Sequence, residues 1–295
     1  MRHFGEPALT TLAVTVALVA AGALLLFGAE HAAPLRTPRR PWLLEVAVNL
    51  ALSALAFGSS AVLVRPAVVR AMGWSQRQEF GLVYLAGLPP LARGMLVFVL
   101  LDLAFYYWHR LNHEWPALWR FHNVHHSDPS LDVSTSFRFH FGEVALSTVF
   151  RVIQIAVIGA SLPAYAVYEF AFQLNTLFHH SSVRLPIRLE RWLNRVLVTP
   201  RMHGIHHSQV REETNSNYSV VLPWWDWLHH TLRLNVPQSR IVIGVPGYAD
   251  PQDNRLWRLL SLPFREQRDY WRRPDGIRVE RDPAELGTHP HRLEE

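Results

Sequence analysis

The sequence predicts an all-α integral membrane protein: about four to five membrane helices, two of them a hairpin, beneath a cytosolic helical cap rich in histidine. Three observations lead there. Several charge-poor apolar runs approach the length of a membrane crossing. The residues between and after them are polar and rich in arginine and histidine. The mean hydropathy of +0.03, with 49% hydrophobic residues in 295, lies between that of a soluble enzyme and a pure membrane bundle. Cysteine is absent, which excludes disulfides, thiolate metal sites and a cysteine nucleophile. All 29 basic residues are arginines, and the formal charge is +5. They stand beside apolar runs rather than among aromatic residues in a groove, the pattern of a membrane surface rather than of nucleic-acid binding.

In chain order, Ala8 to Ala29 is free of charge and of about the length that crosses a ~30 Å hydrocarbon core. Its weakly basic start and the missing small-residue cleavage pattern argue against a cleavable signal peptide. Trp42 to Val64 is the second run, with Glu45 and Asn49 near its start and Arg65 and Arg70 closing it. Leu91 to Trp108 is the third, interrupted by Arg93 and Asp102. Val144 to Ala160 and Leu162 to Phe178 follow, separated by Gly159 and Pro163, a punctuation that predicts a hairpin entering the bilayer and returning. The division expected is an N-terminal transmembrane region over 1–90, a catalytic region over 91–235 and a polar, partly disordered tail over 236–295 with an amphipathic stretch near Leu256 to Phe264.

If the third run crosses once and the hairpin returns, every histidine cluster lies on one side of the membrane. Arginines 184, 188, 191, 195, 201 and 211 share that side, which the positive-inside rule makes cytoplasmic. The earlier loops, with Arg36, Arg39 and Arg40 after the first run and Arg65, Arg70 and Arg77 after the second, give no clear vote. Seven tryptophans, at 108, 115, 119, 192, 224, 225 and 227, are expected to form an aromatic belt at the headgroup level.

Thirteen of the 17 histidines fall between His109 and His230. H-x-x-H-H occurs twice, at His122, His125, His126 and at His203, His206, His207, where random placement gives it only about 0.05 times per chain. His109 and His113 form a further pair. On a helix, residues at i, i+3 and i+4 share a face, so each segment aims two or three imidazoles at a common point. These eight rings exceed the needs of one tetrahedral ion, and the count implies two metals. Imidazole suits zinc, copper, iron and nickel alike. The setting is more selective: there is no H-E-x-x-H, no catalytic carboxylate pair and no Ser-His-Asp arrangement. Two irons that activate O₂ and abstract hydrogen from an unactivated C–H bond of an apolar substrate fit it.

The segments DLAFYYWHRLNH (Asp102 to His113), LWRFHNVHHSD (Leu118 to Asp128), STSFRFHFGE (Ser134 to Glu143), LFHHSSVRLP (Leu177 to Pro186), VTPRMHGIHHS (Val198 to Ser208) and NSNYSVVLPWWDWL (Asn215 to Leu228) occur in this order. Together they resemble the fatty acid hydroxylase / sterol desaturase superfamily, and in particular its bacterial members. The resemblance implies a membrane-bound diiron enzyme that uses O₂ and two electrons to hydroxylate or desaturate a lipid. It also implies a separate electron donor, of cytochrome b5 or ferredoxin/reductase type, and a bacterial inner membrane with the histidines facing the cytoplasm. The ligands implied are His109, His113, His122, His125, His126, His203, His206 and His207, with His179 as a ninth; His180 is expected to point elsewhere. Asp102 is a candidate acceptor for a ligand ring N–H or, alternatively, a partner of Arg93. His140, Asn217 and Asp226 are supporting candidates. The chain departs from the family pattern at Phe141, Ser219 and 228–231, where His229 and His230 are read as surface residues. Hydroxylation is the preferred reading, with desaturation at the same centre and a non-catalytic metal-binding role as alternatives.

Overall fold

The computed structural model describes residues 6–37, 42–85 and 87–294. Arg39 and Arg40 lie outside them. Among the described residues the chain is helical and without strands: α1 (Glu6–Ala32), α2 (Trp42–Ser59), α3 (Arg65–Gln78), α4 (Leu82–Leu85), α5 (Pro90–Glu114), α6 (Pro116–His126), α7 (Phe141–Ile158), α8 (Leu162–His180), α9 (Ile187–Leu193), α10 (Pro200–His206), α11 (Arg211–Thr214), α12 (Trp224–Leu228) and α13 (Leu256–Ser261). Among the described residues four stretches are long and apolar enough to cross a membrane, Val14–Ala32, Trp42–Leu85, Pro90–Glu114 and Phe141–Ile158.

The second run differs from expectation, because Arg65 does not end the helix. A π turn over Ser60–Val64 joins α2 to α3, so the helical path runs from Trp42 to Gln78. Pro66 has no N–H to offer the preceding turn, and a widened turn absorbs that missing bond. Glu79, in the left-handed region at φ 48°, caps the end. The hairpin is as expected. Gly159 stops α7 at φ 81°, and Ser161 caps α8 by accepting from the Ala164 amide. A side chain is excluded at Gly81, where a Cβ would lie 2.5 Å from the Gly159 Cα.

The helix directions decide where the histidines lie. α5 and α8 run toward the cluster with their C-terminal ends, and α7 starts beside it. α1 also ends there: the Glu30 carboxylate accepts from the backbone N–H groups of Val133 and Ser182. α2 begins there, with Asn49 donating to Asp128 and Ser134. The opposite end packs Val64, Val68, Met72, Val83, Val97, Ile155 and Tyr168 into an apolar core. The Asp102–Arg93 alternative is corrected at this end. Arg93 lies over the Tyr84 ring and donates to the Leu88 carbonyl.

Parts of residues 236–294, the region expected to be a polar, partly disordered tail, pack against the cap. Leu293 is buried with Val198, Met202 and Leu234, and its carbonyl accepts from Arg191. Val245, Tyr248, Leu259 and Leu262 join Leu52, Trp119 and Val124 in one cluster. Apolar residues scattered through a polar tail supply this burial, which the average composition of the tail conceals. The seven tryptophans expected to form an aromatic belt divide by burial. Trp115, Trp192, Trp224 and Trp227 are exposed, whereas Trp108, Trp119 and Trp225 are buried.

Candidate metal centre

Two prolines, Pro116 and Pro200, help bring the histidines together. Trp115, ahead of Pro116, takes an extended conformation (φ −95°, ψ 113°), as a residue before proline must, and this ends α5. Pro116 then opens α6, where its missing N–H costs nothing. The short α6 returns over the end of α5 and faces His122 and His126 toward His109 and His113. Pro200 opens α10 in the same way and presents His203, His206 and His207. α8 brings His179 and His180 from the hairpin.

Nine imidazoles meet there in two groups, each with its nitrogens within 4.8 Å of one another: His109, His113, His122, His126 and His206, and His125, His180, His203 and His207. The division follows from helix geometry. At 100° per residue, positions i and i+4 differ by only ~40°, while i+3 lies ~100° from i+4. The i,i+4 pairs His109/His113 and His122/His126 share the first group, and the i,i+4 pair His203/His207 shares the second. The i+3 members cross over, His125 to the second group and His206 to the first. A box therefore serves both groups, rather than aiming all of its rings at one point. The groups touch through His126 and His207, whose rings stack at 4.3 Å.

Proton placement is fixed by the surroundings. The Nδ1 of His109 lies 2.7 Å from the Tyr218 carbonyl, and that of His206 lies 2.7 Å from the Ser216 carbonyl. A carbonyl only accepts, so each Nδ1 carries the proton, and in the neutral ring Nε2 is left as a lone pair. These two Nε2 atoms nevertheless face each other at 3.1 Å. His180 repeats the arrangement: its Nδ1 donates to the Thr176 carbonyl while Nε2 lies 3.1 Å from His125 Nε2 and 3.0 Å from His203 Nε2. Lone pairs facing one another in a buried site repel unless a cation lies between them. Nitrogens bonded to one metal at about 2.0–2.1 Å lie ~2.9–3.4 Å apart, which matches these contacts. Orphaned buried nitrogens, among them His113 Nε2, His122 Nε2 and His126 Nε2, fit the same interpretation.

Protonation does not offer an alternative way of satisfying these rings. Burial, then the neighbouring imidazoles, holds His125, His126, His203 and His207 well below the ordinary value. Burial pushes His206 down to about 3, against the opposing hydrogen bond to Ser216. These shifts favour the neutral imidazole, the form that binds metals.

The supporting residues are distributed differently from expectation. His180, expected to point away, faces into the second group. His179 belongs to neither group; its ring lies against that of His203 at 4.1 Å, and its Nδ1 is 3.3 Å from Asn175 Nδ2. Asp102 reaches no ligand ring and instead accepts from the Trp225 indole and the Leu222 amide. His140 caps α7 by accepting from the Gly142 amide, and its Nε2 contacts the Leu260 carbonyl. Asn217, at φ 54°, donates to the Met202 and Arg233 carbonyls and so ties the loop after α11 to α10. Asp226 accepts from the Tyr218 and Ser219 amides and the Thr231 hydroxyl, holding the carbonyl on which His109 rests. Burial raises its carboxyl pKa, against the hydrogen bonds from Thr231 and Ser219 that lower it.

Sequence reasoning did not assign a role to Glu143, which lies 2.9 Å from His122 Nδ1 and is buried. Its appearance directly after the R-F-H-F-G stretch, at the start of an apolar helix, was the available signal. Glu143→Ala removes the acceptor that orients His122, and metal affinity is expected to fall about 10- to 100-fold in a chelator competition. Asp226→Asn turns an N–H₂ toward one of the two backbone donors, which bind different carboxylate oxygens; melting of the purified protein is expected to show a loss of about 1–3 kcal/mol.

Residues 94–231 match the fatty acid hydroxylase family. The chain is 34% identical over 156 residues to an ornithine lipid hydroxylase of Rhizobium tropici, covering 52% of this chain and 45% of that protein. It is 28% identical over 151 residues to the alkylglycerol monooxygenase of Homo sapiens, covering 50% and 32%. With a very-long-chain aldehyde decarbonylase of Oryza sativa subsp. indica the identity is 30% over 139 residues, covering 44% and 22%. The matches thus span less than half the length of each of these relatives. No solved structure matches the chain.

Proposed function

Residues 94–231 match the fatty acid hydroxylase family, and on that premise we propose that the chain is a member of the fatty acid hydroxylase / sterol desaturase superfamily and a membrane-bound diiron oxidoreductase that hydroxylates a lipid at an unactivated C–H bond. The balanced reaction is R–H + O₂ + 2 electrons + 2 protons giving R–OH + H₂O, with a separate cytochrome b5-like or ferredoxin-type donor supplying the electrons. The observation that carries the reading is the pair of adjacent imidazole groups whose unprotonated nitrogens face one another. In this reading His109, His113, His122, His126 and His206 hold one iron, and His125, His180, His203 and His207 hold the other. Two irons there would supply O₂ activation and hydrogen abstraction.

The chain's own residues do the positioning. Tyr218 and Ser216 carbonyls, Glu143 and the Thr176 carbonyl retain protons on Nδ1 of His109, His206, His122 and His180, so that each Nε2 stays free to ligate. Burial of the rings keeps bulk water away. The apolar helices that end at the cluster bring a lipid chain to it without leaving the bilayer. The arginines at 184, 188, 191, 195, 201 and 211 favour a cytoplasmic orientation in a bacterial inner membrane, where a soluble donor has access. Residues 91–235 are assigned as the catalytic region, flanked by the N-terminal helices and the tail.

The test combines metal analysis of purified protein with mass spectrometry of lipids from cells with and without the gene, grown under ¹⁸O₂. Two irons per chain and a lipid product carrying one labelled oxygen are expected. A product lighter by two hydrogens and without label would assign desaturation instead. Unchanged lipids, together with absent iron, would remove the enzymatic reading.

A further inference from the structure

We propose that a basic cavity behind the second histidine group, walled by Arg36, Arg184 and Arg201, binds the phosphate headgroup of an anionic membrane lipid. The cavity has a volume of about 1000 Å³, and Ser130, Gln238 and Ser239 also line it. Three segments distant in sequence supply its arginines: the turn after α1, the segment after α8, and α10. They are joined by backbone hydrogen bonds, Leu35 N–H to the Ser182 carbonyl and Arg184 N–H to the Ala33 carbonyl.

The cations are held in place and incompletely neutralised. Arg36 donates to the Ser181 and Pro200 carbonyls and to Gln238 Oε1 at 2.7 Å. Gly204, within the third histidine box, leaves room for it, since a Cβ there would approach Arg36 Nη1 to 2.5 Å. Arg201 pairs with the buried Glu190. The nearby Glu30 is taken up by the Val133 and Ser182 amides. Among the described residues neither Arg36 nor Arg184 has a carboxylate within ion-pair distance, and Arg184 is exposed with only its Nε bound, to the Pro34 carbonyl. Arg36 Nε, Arg201 Nε and Ser130 Oγ are buried and find no hydrogen-bond partner. Burial pushes the Arg36 guanidinium down to about 10, with Glu190 and Glu30 opposing and Arg201 adding to the fall. An oxyanion at the cavity would relieve all three conditions, because guanidinium groups recognise phosphate through charge-assisted, often bidentate bonds.

The location selects a lipid. Leu35 and Arg36 follow directly after the apolar stretch that ends at Ala32, which sets the cavity at the height where headgroups lie. Its concave form suits a headgroup rather than the surface of a protein. The binding is independent of oxidation chemistry and is tested without it.

Protein purified in detergent and stripped of lipid is offered phosphatidylglycerol, diacylglycerol of the same chains, or inorganic phosphate, and retention is read by native mass spectrometry. Phosphatidylglycerol retained at least about tenfold better than diacylglycerol is expected, and Arg184→Gln should lower that retention ~5-fold by removing a charge-assisted contact. Ser239→Glu, at an exposed lining position, should repel the headgroup and lower it similarly without breaking a contact in the fold. Equal retention of the two lipids, or wild-type retention by both variants at unchanged melting temperature, overturns the proposal. Displacement of phosphatidylglycerol by millimolar inorganic phosphate would assign the cavity to a free anion and likewise overturn it.

Discussion

His206→Ala is expected to reduce lipid oxidation by more than about 100-fold, beyond what losing a group one shell out from a metal costs, and to lower bound metal toward one ion per chain. His206 is fully buried, and its Nε2 faces that of His109 at 3.1 Å. Its ring lies 4.7 Å from those of His113 and His126 and 5.1 Å from that of His203, so it borders both groups. Alanine removes a nitrogen that no neighbour can replace, because every adjacent ring is already committed. Metal content, measured on protein of unchanged size-exclusion profile, separates loss of ligation from loss of fold. Full metal content in the variant would show that the first group does not hold an ion in the proposed way.

The second large effect separates two adjacent residues. His180→Ala should lose the metal of the second group and at least ~100-fold in activity, whereas His179→Ala should keep its metal and lose less than about tenfold. His180 Nε2 lies 3.0–3.1 Å from both His125 and His203 Nε2, while its Nδ1 is occupied by the Thr176 carbonyl. His179 instead meets Asn175. The comparison is informative because the two variants remove the same chemistry one residue apart, and neighbouring side chains on a helix point about 100° apart. Metal loss from His179→Ala alone would reverse the assignment.

Much of the site was legible in the chain. The two H-x-x-H-H boxes and the His109/His113 pair supply eight of the nine grouped rings, and their spacing names helical segments before any coordinate is seen. The hairpin was legible at Gly159 and Pro163 because glycine supports positive φ and proline opens a helix. The continuation of α2 into α3 was not, because arginines and Pro66 imitate a terminus and a π turn leaves no signature in composition. The packing of the tail escaped notice for a related reason: Leu293 is one apolar residue among many polar ones, and its partners Val198 and Met202 are almost a hundred positions away.

By itself the sequence determined that the chain would form apolar helices, that the histidines would collect at one end of them, and that eight imidazoles stood at helical spacing. These follow from local pattern, since hydrophobic length, helical period and residue type are properties of short segments. Only the tertiary structure decided which rings share a group, that His180 rather than His179 faces inward, that Glu143 supports His122 while Asp102 supports Trp225, and that Arg36 and Arg184 meet across a cavity. Those outcomes depend on the rotation of each helix about its axis and on contacts between distant segments. A shift of one residue turns a helix face by 100°, and no short stretch of sequence specifies what lies opposite.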